Sequence, residues 1–305
     1  MVPITLIVLN KGNNIDDALN SVSNLGLENI IVGTFSKIKL QKAITIDLDS
    51  TDYSQCLNKL QSLAQTEWIM YMKDTERLVH FNEHIPNLLI KDEIYGFQTL
   101  KDDVIMKEPR LWKKERKVVF KNPVFEKPNV NVTQVVEAIL YQQKEHNTSV
   151  ALDLWKKTSP LSVDASYYKA FDMLSKKDFK EFKRMINHYL FSVKKQDISS
   201  IMARYYLALV QGIVDNNIKE ATRNIVICLS ENPLMAEFWC LLGDIFTISG
   251  KFKDSIAFYE NAIILGSRRQ KLDLWPMHIS KYQSYPEEMI EKCKKAISSV
   301  KGYTT

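Results

Sequence analysis

A change of period part-way along the chain narrows the fold more than any other feature. In the C-terminal half, Ala221, Ile225, Cys228 and Pro233 are matched 34 residues later by Ser255, Tyr259, Ala262 and Ser267. A repeat of that length belongs to stacked helical hairpins, with small residues where two helices cross and large ones between hairpins. The later hairpin reads Trp239-x-x-Leu242-Gly243-x-x-Phe246, then Gly250, Ser255, Tyr259 and Ala262. A less regular one covers about Ala165–Leu190, where Asp178-Phe179-Lys180 echoes Lys251-Phe252-Lys253. Its offset is not 34, which predicts an insertion or a longer turn in between. Trp155, Trp239, Phe246 and Tyr259 then read as core between helices rather than as ligand-stacking rings. Two clear repeats are fewer than a free-standing solenoid needs, so this half is expected to pack on what precedes it.

The first half has another rhythm. Ile4–Leu9 is a buried strand, and Asn13 or Asn14 caps a helix carrying Asp16 and Asp17 in its first turn and ending at Gly26. Strands follow at Asn29–Gly33 and Ala43–Ile46, then a helix over Tyr53–Ala64 and a strand at Trp68–Met72. Strands separated by helices imply βαβ units and a mostly parallel sheet. Those near Ile94–Gln98, Val104–Trp112 and Val118–Phe120 lack intervening helices and predict an antiparallel addition. From about Asn131 the β signal is expected to vanish.

Composition closes several routes. The chain has 305 residues and only 9 glycines, and neither G-x-G-x-x-G nor G-x-x-x-x-G-K-[ST] occurs. A net charge of +5 is too mild to imply nucleic acid. Cys56, Cys228, Cys240 and Cys293 form no C-x-x-C pair and fit apolar packing in a reducing compartment. The opening apolar stretch is strand-length and lacks a basic flank, and no stretch approaches the ~18 apolar residues of a membrane span. The chain therefore reads as cytoplasmic, and the N-x-[ST] sequons at Asn131 and Asn147 carry little meaning.

With this order of elements, the N-terminal half resembles family-2 glycosyltransferases of the GT-A fold. The whole chain is similar to the branch in which a short GT-A domain precedes tetratricopeptide repeats. Thr5–Val22 resembles the family's opening strand and helix, with Asn10 at the motif asparagine. Asn29–Lys37 stands where the family writes a strand ending in D-T-G-S-T, and Tyr53–Asn58 resembles F-S-x-A-R-N. Thr66–Leu78 is similar to G-D-W-I-L-W-L-D-A-D-E-R-L, and Arg110–Glu126 to the R-L-F-R-R…G-x-V-H-E strand pair.

The resemblance implies transfer of a sugar from a nucleotide-sugar donor to a protein or glycan acceptor held by the repeats. A carboxylate would deprotonate the acceptor while a divalent cation, Mn²⁺ or Mg²⁺, neutralises the leaving diphosphate. It places Asn10, Asn58, Lys73 and Arg110 around the donor, Asp74 and Glu76 on the metal, and Glu126 as the base. The chain departs from the family at the charged positions. Gly33 stands for the nucleotide-contacting Asp, Leu57 for the arginine of the second motif, Lys73-Asp74-Thr75 for D-x-D, and Phe125 for the His before Glu126.

Three readings of residues 73–77 follow. A bulge could aim Asp74 and Glu76 at a cation as a shifted D-x-E. Lys73 could replace the metal as a point charge. Or Lys73-Asp74-Thr75-Glu76-Arg77 could be a solvated loop of alternating charge.

Other motifs weigh less. His80, Glu83 and His84 spell H-x-x-E-H, but Pro86 limits the helix that zinc chemistry would need. Lys113-Lys114-Glu115-Arg116-Lys117 beside Trp112 reads as a hairpin turn, not a nucleic-acid patch. Residues 272–293 read as a closing segment that folds back after the repeats. The expected architecture is a GT-A-like α/β domain over 1–128 and a tetratricopeptide-like all-α domain over 129–305. The alternative function is non-catalytic: a scaffold or assembly protein, needing no cofactor, whose repeats bind protein.

Overall fold

The computed structural model describes residues 2–13, 15–82, 85, 93–124, 126–142, 152, 155, 162–194, 196–270 and 273–301. The chain divides into two compact units, Met1–Ala151 with Leu272–Pro276, and Leu152–Lys271 with Met277–Thr305.

The first unit is built on β1 (Val2–Asn10), α1 (Ile15–Ser21), β2 (Leu27–Thr34), β3 (Ile44–Asp47), α2 (Tyr53–Ser62) and β4 (Trp68–Lys73). It continues with β5 (Glu76–Phe81), β6 (Tyr95–Lys101), β7 (Val104–Lys113), β8 (Phe120–Lys121), β9 (Lys127–Pro128) and β10 (Gln134–Gln142). Eight strands of this unit lie in one sheet in the order β3-β2-β1-β4-β7-β6-β10-β5, and β8 pairs with β9. β1 is parallel to β2 and β4, and β2 to β3. β7 is antiparallel to both β4 and β6, as the missing crossover helices predicted.

The central strands are apolar on both faces because both are covered. Leu6, Val8, Val32 and Met70 pack with Ile15 of α1, while Ile7, Leu9, Ile31 and Ile69 pack with Cys56, Leu57 and Leu60 of α2. The Asp52 side chain caps α2 by accepting from Ser54 N and Gln55 N, at 2.9 and 3.1 Å.

Three expectations need correction. The β signal does not end at Asn131, because β10 lies between β6 and β5, with Val136, Ala138, Leu140 and Gln142 buried in alternation. Residues 73–77 are not a solvated loop, since Asp74 and Glu76 are buried and Glu76 begins β5. Residues 113–117 are not a hairpin turn: Lys114–Arg116 is a short 3₁₀ turn, and β8, which follows it, pairs with β9 instead of β7. Asn14, Glu83, His84, Pro86, Phe125 and Asn147 lie outside the described residues.

The second unit consists of helical hairpins. α3 (Val163–Ser175) packs on α4 (Phe179–Ser192), α5 (Ile198–Leu209) on α6 (Ile218–Glu231), and α7 (Ala236–Ile248) on α8 (Phe252–Gly266), which also contacts α9 (Tyr285–Lys301). Three of the four matched pairs are buried, Ala221, Ile225 and Cys228 in α6 with Ser255, Tyr259 and Ala262 in α8, while the fourth, Pro233 and Ser267, is exposed. Gly243 is required there, because a Cβ would come within 2.5 Å of the Tyr259 ring.

The offset has a local cause. α5 runs on into one π-helical turn, Val210–Val214, before α6 begins. From the start of α5 to that of α6 the chain takes 20 residues against 16 from α7 to α8, and one more residue lies between the starts of α4 and α5 than between those of α6 and α7, so α4 falls five residues out of the 34-residue spacing. The four cysteines are buried free thiols, and burial pushes Cys228 up to about 12. Among the described residues no helix is long and apolar enough to cross a membrane.

Candidate functional site

Because β1, β2 and β4 are parallel, their C-terminal ends open on the same edge of the sheet, the place where open α/β sheets receive ligands. The chain leaves β1 through Asn10, whose Oδ1 accepts the Gly12 N–H at 2.9 Å. Gly12 has φ +98°, a conformation that favours glycine. This turn aims the Lys11 N–H at Asp74 Oδ2 (2.7 Å), and Asn13 Nδ2 donates to the same oxygen at 2.9 Å.

Two further carboxylates sit behind it. Glu76 is fully buried; its Oε2 accepts the Lys73 N–H at 2.9 Å and its Oε1 meets Arg110 Nη2 at 2.6 Å. Arg110, also buried, reaches Glu108 at 2.5 Å and lies over the Tyr71 ring at 5.1 Å. Glu126 Oε1 pairs with Lys11 Nζ at 2.6 Å and accepts the Tyr71 hydroxyl at 3.3 Å.

The electrostatics follow from burial and pairing. Burial pushes the Glu76 carboxyl up, against the pull of Arg110 and Lys73. Burial also acts to raise Glu108, but Lys73 and Arg110 outweigh it and bring that carboxyl down to about 2. The Tyr71 hydroxyl is raised by burial and then by the Glu126 charge.

The structure thus brings Asn10, Lys73, Asp74, Glu76, Arg110 and Glu126 to one strand-end region. Asn58 has a different role. Its Oδ1 accepts the Phe120 N–H at 2.8 Å and its Nδ2 donates to the Phe120 carbonyl at 3.1 Å, so its amide holds β8 against α2. Lys11, Tyr71 and Glu108 were missed in the sequence. Only Lys11, directly after Asn10 at the end of β1, carried a positional hint.

A divalent cation fits these residues poorly. Both Glu76 oxygens already have partners, one of them a guanidinium, and Asp74 faces the Lys11 amide and Asn13. The described residues hold no group of three or more His, Cys, Asp or Glu placed for a metal. Position 33 is closed as well: a Cβ on Gly33 would lie 2.5 Å from Leu48 and 2.8 Å from Leu60. Glu126 Oε2, Arg110 Nε and Thr75 Oγ1 are buried without a hydrogen-bond partner among the described residues.

No protein-family model matches the chain. No curated protein matches it in sequence either. Among solved structures it is similar to PcrH from Pseudomonas aeruginosa, at 9% identity over 43% of this chain and 91% of that one, with a TM-score of 0.36. It is also similar to MamA, residues 41 to the end, from Desulfovibrio magneticus RS-1, at 14% identity over 50% and 81%, with a TM-score of 0.36. A type III secretion complex from Aeromonas hydrophila matches at 10% identity over 47% and 89%, with a TM-score of 0.37.

Proposed function

We propose that this chain is a non-catalytic scaffold or assembly protein: a GT-A-like α/β unit no longer used for sugar transfer, joined to a tetratricopeptide-like unit that binds protein. One observation carries the reading. Each carboxylate that transfer chemistry would need is already held by the chain's own donors: Glu126 by Lys11 and Tyr71, Glu76 by Arg110, Asp74 by the Lys11 amide and Asn13. A base must reach the proton it abstracts, and the Glu126 side chain is only 1% exposed. The closed space at Gly33 supports the same reading.

Calorimetric titration of the full chain with UDP, GDP and their common sugars, with and without Mn²⁺, tests the first half of this reading. The expected result is no saturable heat at millimolar nucleotide. Manganese-dependent binding that disappears in Asp74→Ala/Glu76→Ala would overturn it. Proximity labelling in the source cell tests the second half. A reproducible set of enriched protein partners is the expected result, and none above background would overturn it.

A second reading, a transferase working without a metal, is favoured by Glu126 Oε2 and Arg110 Nε, buried atoms without a hydrogen-bond partner among the described residues. In it Lys73 and Arg110 face the donor diphosphate, and Glu126 takes the acceptor proton after Lys11 swings away. Metal-independent nucleotide binding lost in Lys73→Ala would select it.

A further inference from the structure

Between Leu111 and Pro128 the first unit exposes five cations, Lys114, Arg116, Lys117, Lys121 and Lys127, against one exposed acid among the described residues, Glu115. Glu126, the other acid of this stretch, is buried and paired with Lys11. The backbone gathers several of these charges. Val118 and Phe120 are each 2% exposed and turn inward, so Val119 and Lys121 face out, with Val119 44% exposed. Lys127 stands directly opposite Lys121 in the β8–β9 register, which puts both side chains on one face of the ribbon.

That face is fixed from behind. Gln61 Nε2 of α2 donates to the Val118 carbonyl at 2.6 Å, beside the bonds from Asn58 to Phe120. The Val119 N–H donates to Asn129 Oδ1 at 2.8 Å, and the Asn129 N–H returns to the Val119 carbonyl at 2.9 Å. The lysines are therefore presented on a preformed surface.

Their positions cost stability. Like charges directly opposite one another across a strand pair are destabilising, and neither Lys121 nor Lys127 has a carboxylate partner among the described residues. Lys117 holds φ +48°, left-handed backbone that glycine adopts more cheaply. An anionic surface laid on this face supplies the counter-charges that the chain does not. The side chains around the lysines select the kind of anion. Binding single-stranded nucleic acid calls for exposed aromatic rings, whereas Trp112 and Phe120 are buried. Here an aliphatic side chain, Val119, lies among the cations. Clusters of about four to eight Lys and Arg are drawn to anionic bilayers, and an apolar side chain among them adds burial at the headgroup boundary.

We propose that the outer face of the β8–β9 ribbon, with the basic turn 114–117 leading into it, docks this chain on an anionic lipid bilayer. The inference is independent of the protein-binding reading above and adds a place at which such a scaffold would work.

The test is co-sedimentation of the full chain with vesicles of phosphatidylcholine alone or with about one-third phosphatidylserine. Binding should require phosphatidylserine and fall at least about tenfold when salt rises from about 0.1 to about 0.5 M. Lys117→Gly/Lys121→Thr/Lys127→Thr places in each position a residue suited to its backbone and should weaken binding about a hundredfold, at about fivefold for each lysine. Lys219→Ala/Lys253→Ala/Lys295→Ala removes the same charge from exposed positions of the second unit and should stay within about threefold of wild type. Val119→Trp should tighten binding, because tryptophan favours the headgroup level. No phosphatidylserine-dependent binding at millimolar lipid, or an equal loss in the two triple variants, overturns the proposal. So does a chain that ignores the vesicles and binds a single-stranded RNA oligonucleotide through the same three lysines.

Discussion

Replacing Arg110 by Met should destabilise the α/β unit by about 3–5 kcal/mol at pH 7, the usual loss when one partner of a buried ion pair is removed. The geometry sets this scale. Arg110 and Glu76 are 2% and 0% exposed and meet at 2.6 Å, and the other Glu76 oxygen accepts the Lys73 N–H. Met keeps most of the aliphatic volume, so cavity formation adds little. The lost contact with Glu108, whose side chain is 32% exposed, adds at most about 1 kcal/mol.

For a unit of this size the deficit corresponds to a fall in Tm of about 6–20 °C. Urea denaturation followed by tryptophan fluorescence reports it, because Trp68 and Trp112 are buried in this unit. Burial already raises the Glu76 carboxyl, and removing Arg110 raises it further. A raised carboxyl contributes stability below its unfolded value and loses it as pH rises through the folded one, so the variant should recover stability between pH 7 and pH 5. Glu76→Gln/Arg110→Met should regain at least about 2 kcal/mol of the loss at pH 7, since no buried charge is left without a partner. A single-variant loss under about 1 kcal/mol, or a double variant no better than the single, would refute the view of Arg110 as an internal counter-ion.

Gly243→Ala should cost about 1–3 kcal/mol in thermal denaturation, since a Cβ would meet the rigid Tyr259 ring at 2.5 Å; an unchanged Tm would contradict that packing. Asn58→Ala should cost about 2 kcal/mol by leaving the Phe120 N–H and C=O without their partner, and Asn58→Asp should restore only the bond to the N–H, about half the loss in urea titration. Glu108 is held down to about 2, so its contribution is complete above the ordinary carboxylate value and is lost as pH falls from about 4.5 towards 2. Glu108→Gln should therefore narrow the stability difference between pH 7 and pH 3, and an unchanged difference would count against its pairing with Arg110 and Lys73. Phe191→Ser, at a side chain 93% exposed, should leave stability within about 0.5 kcal/mol.

Much of the α/β core was legible in the sequence because β1, β2 and β4 are short apolar runs bounded by turn residues. The helical period was equally open, since two of the buried pairs 34 residues apart, Ala221 with Ser255 and Cys228 with Ala262, are small in both hairpins, and the third, Ile225 with Tyr259, is large in both. β10 was hidden by composition: Glu137, Ala138, Leu140 and Gln142 are good helix formers, and pairing on both sides by β6 and β5 overrides that preference. β5 was hidden by charge. Glu76 and Arg77 look solvated in a linear reading, yet Glu76 is matched by Arg110, 34 positions on, and Arg77 by Asp17, 60 positions back. Periodicity shows which face is apolar but not which distant charges cancel, so the strand-end region was located while its internal pairing stayed out of view.

The strand order also dictates a sequence of events as the chain is made. β5 follows β4 after two residues, yet it pairs with β10, which ends at Gln142. At roughly 5–20 residues per second, the ~60 residues between Phe81 and Gln142 take about 3–12 s to synthesise. β1, β2, β3 and β4 can assemble during that interval, while Leu78 and Phe81 wait without the neighbour that covers them. The nascent chain therefore carries an unfinished, apolar sheet margin for seconds, and synthesis slowed between residues 81 and 142 should show up as aggregation or chaperone dependence.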